Sequence, residues 1–199
     1  MLACALGWDR DHDLGELNAL RYGVRTIDAG VRERDYHTAA NRSDRDGRGP
    51  KWAAGGTKVT TRWFISGGRW LVGLASDDDA RLRMLAESLA DPVFALFLGR
   101  KSYPVNPNMV LGIRPVDVTA ALTEPDGQFS WSAPGAKAPV IDHATELYIE
   151  DGKGTVKLTD TPESFSMEDR RYSGTTYSRT VIDPYSPMAF ANGGNHVSH

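Results

Sequence analysis

Between Thr57 and Pro92 the sequence commits the chain to two strands followed by a helix, and its neighbours must accommodate that unit. Residues 57–65 (TKVTTRWFI) alternate, with Val59, Thr61, Trp63 and Ile65 on one face and Lys58, Thr60, Arg62 and Phe64 on the other. Ser66-Gly67-Gly68 supplies a turn, and residues 69–75 (RWLVGLA) read as the second strand. Asp77, Asp78 and Asp79 then place capping oxygens and negative charge where a helix start carries partial positive charge. Leu82, Leu85, Ala86 and Leu89 form one apolar stripe at helical spacing, and Pro92 lies just past the end.

Upstream, residues 2–7 (LACALG) read as the last turns of a helix closed by Gly7. Residues 13–20 (DLGELNAL) read as a short helix with Asp13 as its N-cap. Strand-like segments follow at 22–27 and 31–38, joined by Asp28-Ala29-Gly30, and residues 96–98 read as a buried strand end. Helix, strands, strands, helix, strand follows the ferredoxin-like β-α-β-β-α-β pattern with its first strand absent, an α+β class. The expected division is a ferredoxin-like domain at 1–113, a β-rich extension at 114–187 and a disordered tail at 188–199. Within the extension, a hairpin is expected across 145–159 with its turn at Asp151-Gly152. A basic β-like stretch follows at 170–182.

Two segments carry the vocabulary of anion recognition. In LFLGRKSYP (96–104), Gly99 permits a turn that other residues resist, and Arg100, Lys101 and Ser102 offer a planar fork, a point charge and a hydroxyl. An ordinary solvated loop after a strand is the alternative. Residues 39–56 (AANRSDRDGRGPKWAAGG) lack apolar periodicity and are too long for a mere connection, so a functional loop or protruding hairpin is expected there. Trp52 sits among Arg42, Arg45, Arg48 and Lys51, as in proteins that hold single-stranded nucleic acid by stacking plus charge, although Asp44 and Asp46 dilute the pattern. The Lys58/Thr60/Arg62 face can track a phosphate backbone or simply face solvent.

Net charge is −3, which by itself argues against a polyanionic partner. The charge is unevenly distributed, however. From Arg21 to Arg69 there are eleven basic and five acidic residues, a balance of +6, leaving −9 for the remainder. One basic working surface on an acidic body is the reading that follows. Cys4 is the only cysteine, so no intrachain disulfide forms and the cytoplasm is the expected compartment. No apolar run approaches the ~20 residues of a membrane helix. The histidines (His12, His37, His143, His196, His199) lack metal-ligand spacing, and no Walker A, Rossmann, nucleophile-elbow or H-E-x-x-H pattern occurs. Neither a metal nor a cofactor is expected.

The one tempting catalytic group is His37 in RERDYHT (32–38), with Tyr36 beside it and Lys58 or Arg62 on a neighbouring strand. Histidine beside a cation is the means of metal-independent RNA cleavage. Consecutive strand residues point to opposite faces, which separates Tyr36 from His37 and favours a binding or packing role for both.

LFLGRKSYP resembles the glycine-loop motif that closes the ferredoxin-like domain of the Cas-five family of the RAMP superfamily, in its type I-E branch. ALRYGVRTIDAGVRERDYHTA (19–39) is similar to the family's second-strand region with its RDYHT signature. TKVTTRWFISGGRWLVGLASDDDARLRMLAESLADP (57–92) resembles the following strand pair and helix, and RRYSGTTYSRTVID (170–183) the arginine-rich C-terminal strand. These matches run in order over most of 1–183. Family members begin with a strand bearing an L-x-G-P-x-Q-S-W-like motif, whereas this chain starts inside the next helix. The expectation is a misassigned start or a truncated gene. Tyr103 stands where the family usually has cysteine.

The resemblance implies a non-catalytic CRISPR RNA-binding subunit of the antiviral Cascade complex, capping the 5′ handle of the guide. Its implied partners are that handle, the backbone subunit CasC and the large subunit CasA, with indirect contact to target DNA and none to membranes. The implied handle-binding residues are Arg34, His37, Lys58, Arg62, Gly99, Arg100, Lys101 and Ser102, with a thumb at 39–56 bearing Arg42, Arg45, Arg48, Lys51 and Trp52. One alternative is a metal-independent endoribonuclease using His37 with Tyr36 or Lys58, as in another subtype of the family. Another is a stand-alone RNA-binding module of the same fold.

Overall fold

A computed structural model of the chain describes residues 1–40, 57–123 and 143–183. The expected thumb residues Arg42, Arg45, Arg48, Lys51 and Trp52, and the expected disordered tail at 188–199, lie outside the described residues. The chain divides into two compact units, Met1–Ile27 with Leu71–His199, and Asp28–Trp70.

The first unit is built on a five-stranded sheet. Its strands are β1 (Arg21–Asp28), β4 (Arg69–Ala75), β5 (Thr145–Glu150), β6 (Val156–Ser164) and β7 (Arg171–Ile182), in the order β4-β1-β5-β7-β6. The second unit carries the hairpin of β2 (Val31–Ala40) and β3 (Thr57–Ser66). Helices α1 (Leu2–Ala5), α2 (Gly15–Asn18), α3 (Asp79–Ala90) and α4 (Val118–Thr123) complete the described elements.

Local signals place α3 as expected. Asp78 is its N-cap, accepting hydrogen bonds from the backbone N–H groups of Ala80 (2.9 Å) and Arg81 (3.2 Å), and Leu85 is its buried residue. Leu14, not Asp13, holds the cap position of α2, while Asp13 accepts a 2.9 Å bond from the Gly15 N–H. Helix α4 falls in a stretch read as irregular. Asp117 opens it by accepting from the Ala120 N–H at 2.8 Å. On the sheet, Val118 and Leu122 of α4 meet Ala75, Leu147 and Ile182 in the buried core.

Two expectations change. Strands β1 and β2 flank Asp28-Ala29-Gly30 but join different sheets. Asp28 accepts from the Gly30 N–H at 2.9 Å, and Gly30 takes φ +67° where an added Cβ would stand 2.5 Å from the Ser66 carbonyl oxygen, so only glycine makes this bend. The hairpin expected across 145–159 does not form. Twelve-residue β7 lies between β5 and β6 and pairs antiparallel with both, Tyr177 standing opposite Glu150 on one side and Val156 on the other. Both edges of β7 are taken, one by β5 and the other by β6, in place of a direct β5–β6 pairing across the local turn. Strands β1 and β4 share a sheet with β5, β6 and β7.

Candidate nucleic-acid interface

The hairpin register sorts its side chains into two faces of opposite character. Residues directly opposed in an antiparallel pair lie on the same face. Arg34 opposes Trp63, Tyr36 opposes Thr61, Thr38 opposes Val59 and Arg32 opposes Ile65. On the other face Asp35 opposes Arg62, His37 opposes Thr60 and Glu33 opposes Phe64. Both acidic residues of β2 are therefore on the His37 face, and the Arg34 face carries two arginines and no carboxylate among the described residues.

The Arg34 face is also the more open one. Tyr36 is 62% exposed, Trp63 55% and Ile65 54%, and the Arg32 guanidinium lies over the Trp63 ring, 4.5 Å from its centroid. On the other face, the Thr60 hydroxyl oxygen is 3.0 Å from His37 Nε2, and Asp35 Oδ2 is 3.6 Å from His37 Nδ1. Lys58 holds the register position opposite Ala39. The hairpin thus gathers His37 and Arg62 on one face and sets Arg34 and Tyr36 on the other. Arg32 and Trp63 were not singled out from the sequence. The signal for Arg32 was present in VRERDY, where arginines and acids alternate and a period of two separates them by face, and that for Trp63 in the alternation of TKVTTRWFI.

The loop at 96–104 lies in the first unit and is not a sheet strand. Leu96 is buried, Phe97 forms an isolated antiparallel bridge with Pro104, and the Leu98 N–H donates to the Tyr103 carbonyl at 2.8 Å. The loop closes on itself, so its backbone groups are satisfied locally rather than by a neighbouring strand. The Tyr103 N–H donates to the Arg100 carbonyl at 2.9 Å, tightening the turn. Gly99 has φ +77° with open space where a Cβ would stand, so backbone geometry rather than crowding selects glycine. Lys101 and Ser102 are exposed, and the Arg100 guanidinium lies 5.8 Å from the Tyr103 ring centroid. Arg100, Lys101 and Ser102 are brought together on this turn. They belong to a different unit from Arg34, His37, Lys58 and Arg62.

A polar cluster that sequence reasoning did not anticipate spans four strands of the sheet. The Tyr177 hydroxyl donates to Asp160 Oδ2 at 2.8 Å, and burial followed by that bond holds the phenol strongly protonated. Burial, then the charge of Asp160, raises the Glu150 carboxyl above its ordinary value, and burial likewise raises Tyr22. Arg25 on β1 was also not singled out. It is buried and donates to Thr145 Oγ1 (2.8 Å) and to the Leu122 carbonyl (3.2 Å), tying β1 to β5 and α4. Among the described residues no group of His, Cys, Asp or Glu is placed to hold a metal ion, and no helix is long and apolar enough to cross a membrane.

Sheet, helices and basic hairpin together define a mixed α/β protein of the RAMP-type ferredoxin-like class. The family model described as CRISPR-associated protein (Cas_Cas5) matches residues 1–177, and the chain belongs to that family. No curated protein sequence matches it. Among solved structures, it is 26% identical to a chain of a "CRISPR RNA-guided surveillance complex", at a TM-score of 0.69, over 92% of this chain and 75% of that one. A second, titled "Crystal structure of Cas protein", is 26% identical at a TM-score of 0.61, over 92% of this chain and 77% of that one.

Proposed function

We propose that the chain is a non-catalytic, CRISPR RNA-binding subunit of a type I-E surveillance complex, equivalent to CasD, and that it caps the 5′ handle of the guide. The observation that carries this reading is the match over 92% of the chain to a component of an RNA-guided surveillance complex. The family match over 1–177 and the +6 balance of Arg21–Arg69 support it. The glycine-turn cations Arg100 and Lys101, with Ser102, bind handle phosphates, and the hairpin supplies a second contact. CasC and CasA are its neighbours in the complex.

A binding role suits His37 better than cleavage. Its ring lies against the Thr60 hydroxyl, and of its two companions in the nuclease reading Tyr36 is on the opposite face, while Lys58 holds a register position on the His37 face. The test is handle-RNA affinity of the assembled complex with Arg100 and Lys101 both changed to Ala. Affinity should fall, and log K should depend less steeply on log salt, because fewer counterions are released. Unchanged affinity, slope and assembly would sink the assignment. Incubating the complex with repeat RNA in EDTA should give no cleavage that depends on His37.

A further inference from the structure

The register of the hairpin separates a face with two exposed rings, two arginines and no described carboxylate from one that mixes His37, Lys58 and Arg62 with Glu33 and Asp35. We propose that the face carrying Arg32, Arg34, Tyr36 and Trp63 is a stacking platform for unpaired nucleobases of single-stranded RNA. The proposal rests on the RNA-binding reading above and deepens it by naming which face binds and by what chemistry.

Three observations converge. First, two aromatic rings on adjacent strands of one face are each more than half exposed, Tyr36 at 62% and Trp63 at 55%. Large exposed rings gathered on one strand face form the kind of patch that marks a binding surface, and their faces can stack on a flat partner. Second, charge is segregated. Arg32 and Arg34 share this face, whereas Glu33 and Asp35 are on the other, so a polyanion meets two cations here and no described carboxylate. Third, the Arg32 guanidinium is already stacked 4.5 Å from the Trp63 centroid, while Trp63 stays 55% exposed. A base that stacks on the rings finds arginines alongside for its phosphates.

The alternative occupant is an apolar protein surface. Two arginines interleaved with the aromatics would each lose water on docking there, and neither would gain a partner. Any base can stack on such rings, so the platform should be tolerant of sequence.

The experiment measures binding of a short single-stranded oligouridine RNA to the full chain across a salt series. Trp63→Ala should weaken binding by about 5- to 150-fold, the range for loss of one base stack, and leave the salt slope unchanged. Trp63→Phe should restore most of the affinity. Arg34→Ala should lower the slope by about 0.7, as expected for one lost phosphate contact to a single strand. Photocrosslinking of the unaltered chain to 5-bromouridine RNA gives a readout that needs no variant, with adducts expected on Tyr36 or Trp63. Wild-type binding that ignores Trp63→Ala, adducts confined to the His37 and Arg62 strand positions, or a Trp63→Ala defect in subunit assembly alone would each overturn the platform while leaving the RNA-binding reading standing. Failure of the unaltered chain to bind or crosslink any RNA would overturn both.

Discussion

Replacing Leu122 by alanine should destabilise the first unit by about 4 kcal/mol, the upper part of the range for a buried leucine. Leu122 is 1% exposed and is the one large side chain fully buried among the described residues. Its cost depends on how far the neighbourhood can collapse into the space it leaves. Here collapse is poor, because two of the facing strand positions are Gly23 on β1 and Gly73 on β4. A Cβ at Gly23 would stand 2.9 Å from Leu122 Cδ1, and one at Gly73 would stand 3.2 Å from it. These positions have no side chains that could swing into the cavity, so most of the lost contact stays lost.

The same geometry predicts a coupling. Gly23→Ala alone overpacks the site, its methyl meeting Ile149 Cδ1 at 2.6 Å as well as Leu122, at a cost of about 1–3 kcal/mol. In the double variant the Leu122 clash is gone and the new methyl enters the cavity. The double should therefore be less destabilised than the sum of the singles, by about 1 kcal/mol. Urea unfolding followed by circular dichroism reads this as midpoint shifts at constant slope. A Leu122→Ala loss under about 1 kcal/mol, or strict additivity with Gly23→Ala, would refute this packing scheme.

Other consequences follow from the polar interior and the glycine turn. Arg25→Met should cost about 1–3 kcal/mol, because it removes the donor to Thr145 Oγ1 and the Leu122 carbonyl. Adding Thr145→Val should recover part of that loss in the same urea assay. Glu150 carries a raised carboxyl in the folded chain, beside Asp160, Tyr177 and Tyr22, so folding favours its protonated form. Its unfavourable contribution is absent below the unfolded value, near 4.5, and grows as pH rises through the raised folded value. Glu150→Gln should remove that decline, so that the variant gains on the wild type with rising pH in thermal melts. Tyr103→Ala should weaken handle binding through Arg100, whereas Tyr103→Phe should retain most of it, because it keeps the ring beside the guanidinium. Filter binding of guide RNA to the assembled complex distinguishes the two.

What the sequence revealed followed the range of the forces involved. Helix α3 was legible because its cap, stripe and terminating proline all lie within fifteen residues of one another. The faces of β3 were legible for the same reason, since alternation is local. The pairing of β5 with β7 was not. It joins Glu150 to Tyr177 across the local turn at Asp151-Gly152, which by itself reads as a hairpin. Arg25 was passed over because a charged residue in a strand reads as solvent-facing until a hydroxyl and a carbonyl, 120 and 97 residues away, come to meet it. The site was legible in composition and only half legible in geometry. RERDYH announced a basic strand and its alternation set Arg34 apart from His37, but placing Arg34 beside Trp63 required the cross-strand register.

The central claim is that this chain covers the 5′ handle of a guide RNA within a surveillance complex. It is tested most directly by nuclease footprinting of guide RNA in complexes assembled with and without the chain. The expected result is a handle protected only when the chain is present, with protection reduced when Arg100 and Lys101 are both alanine. A handle equally protected in its absence, or one cut equally in its presence, would contradict the assignment.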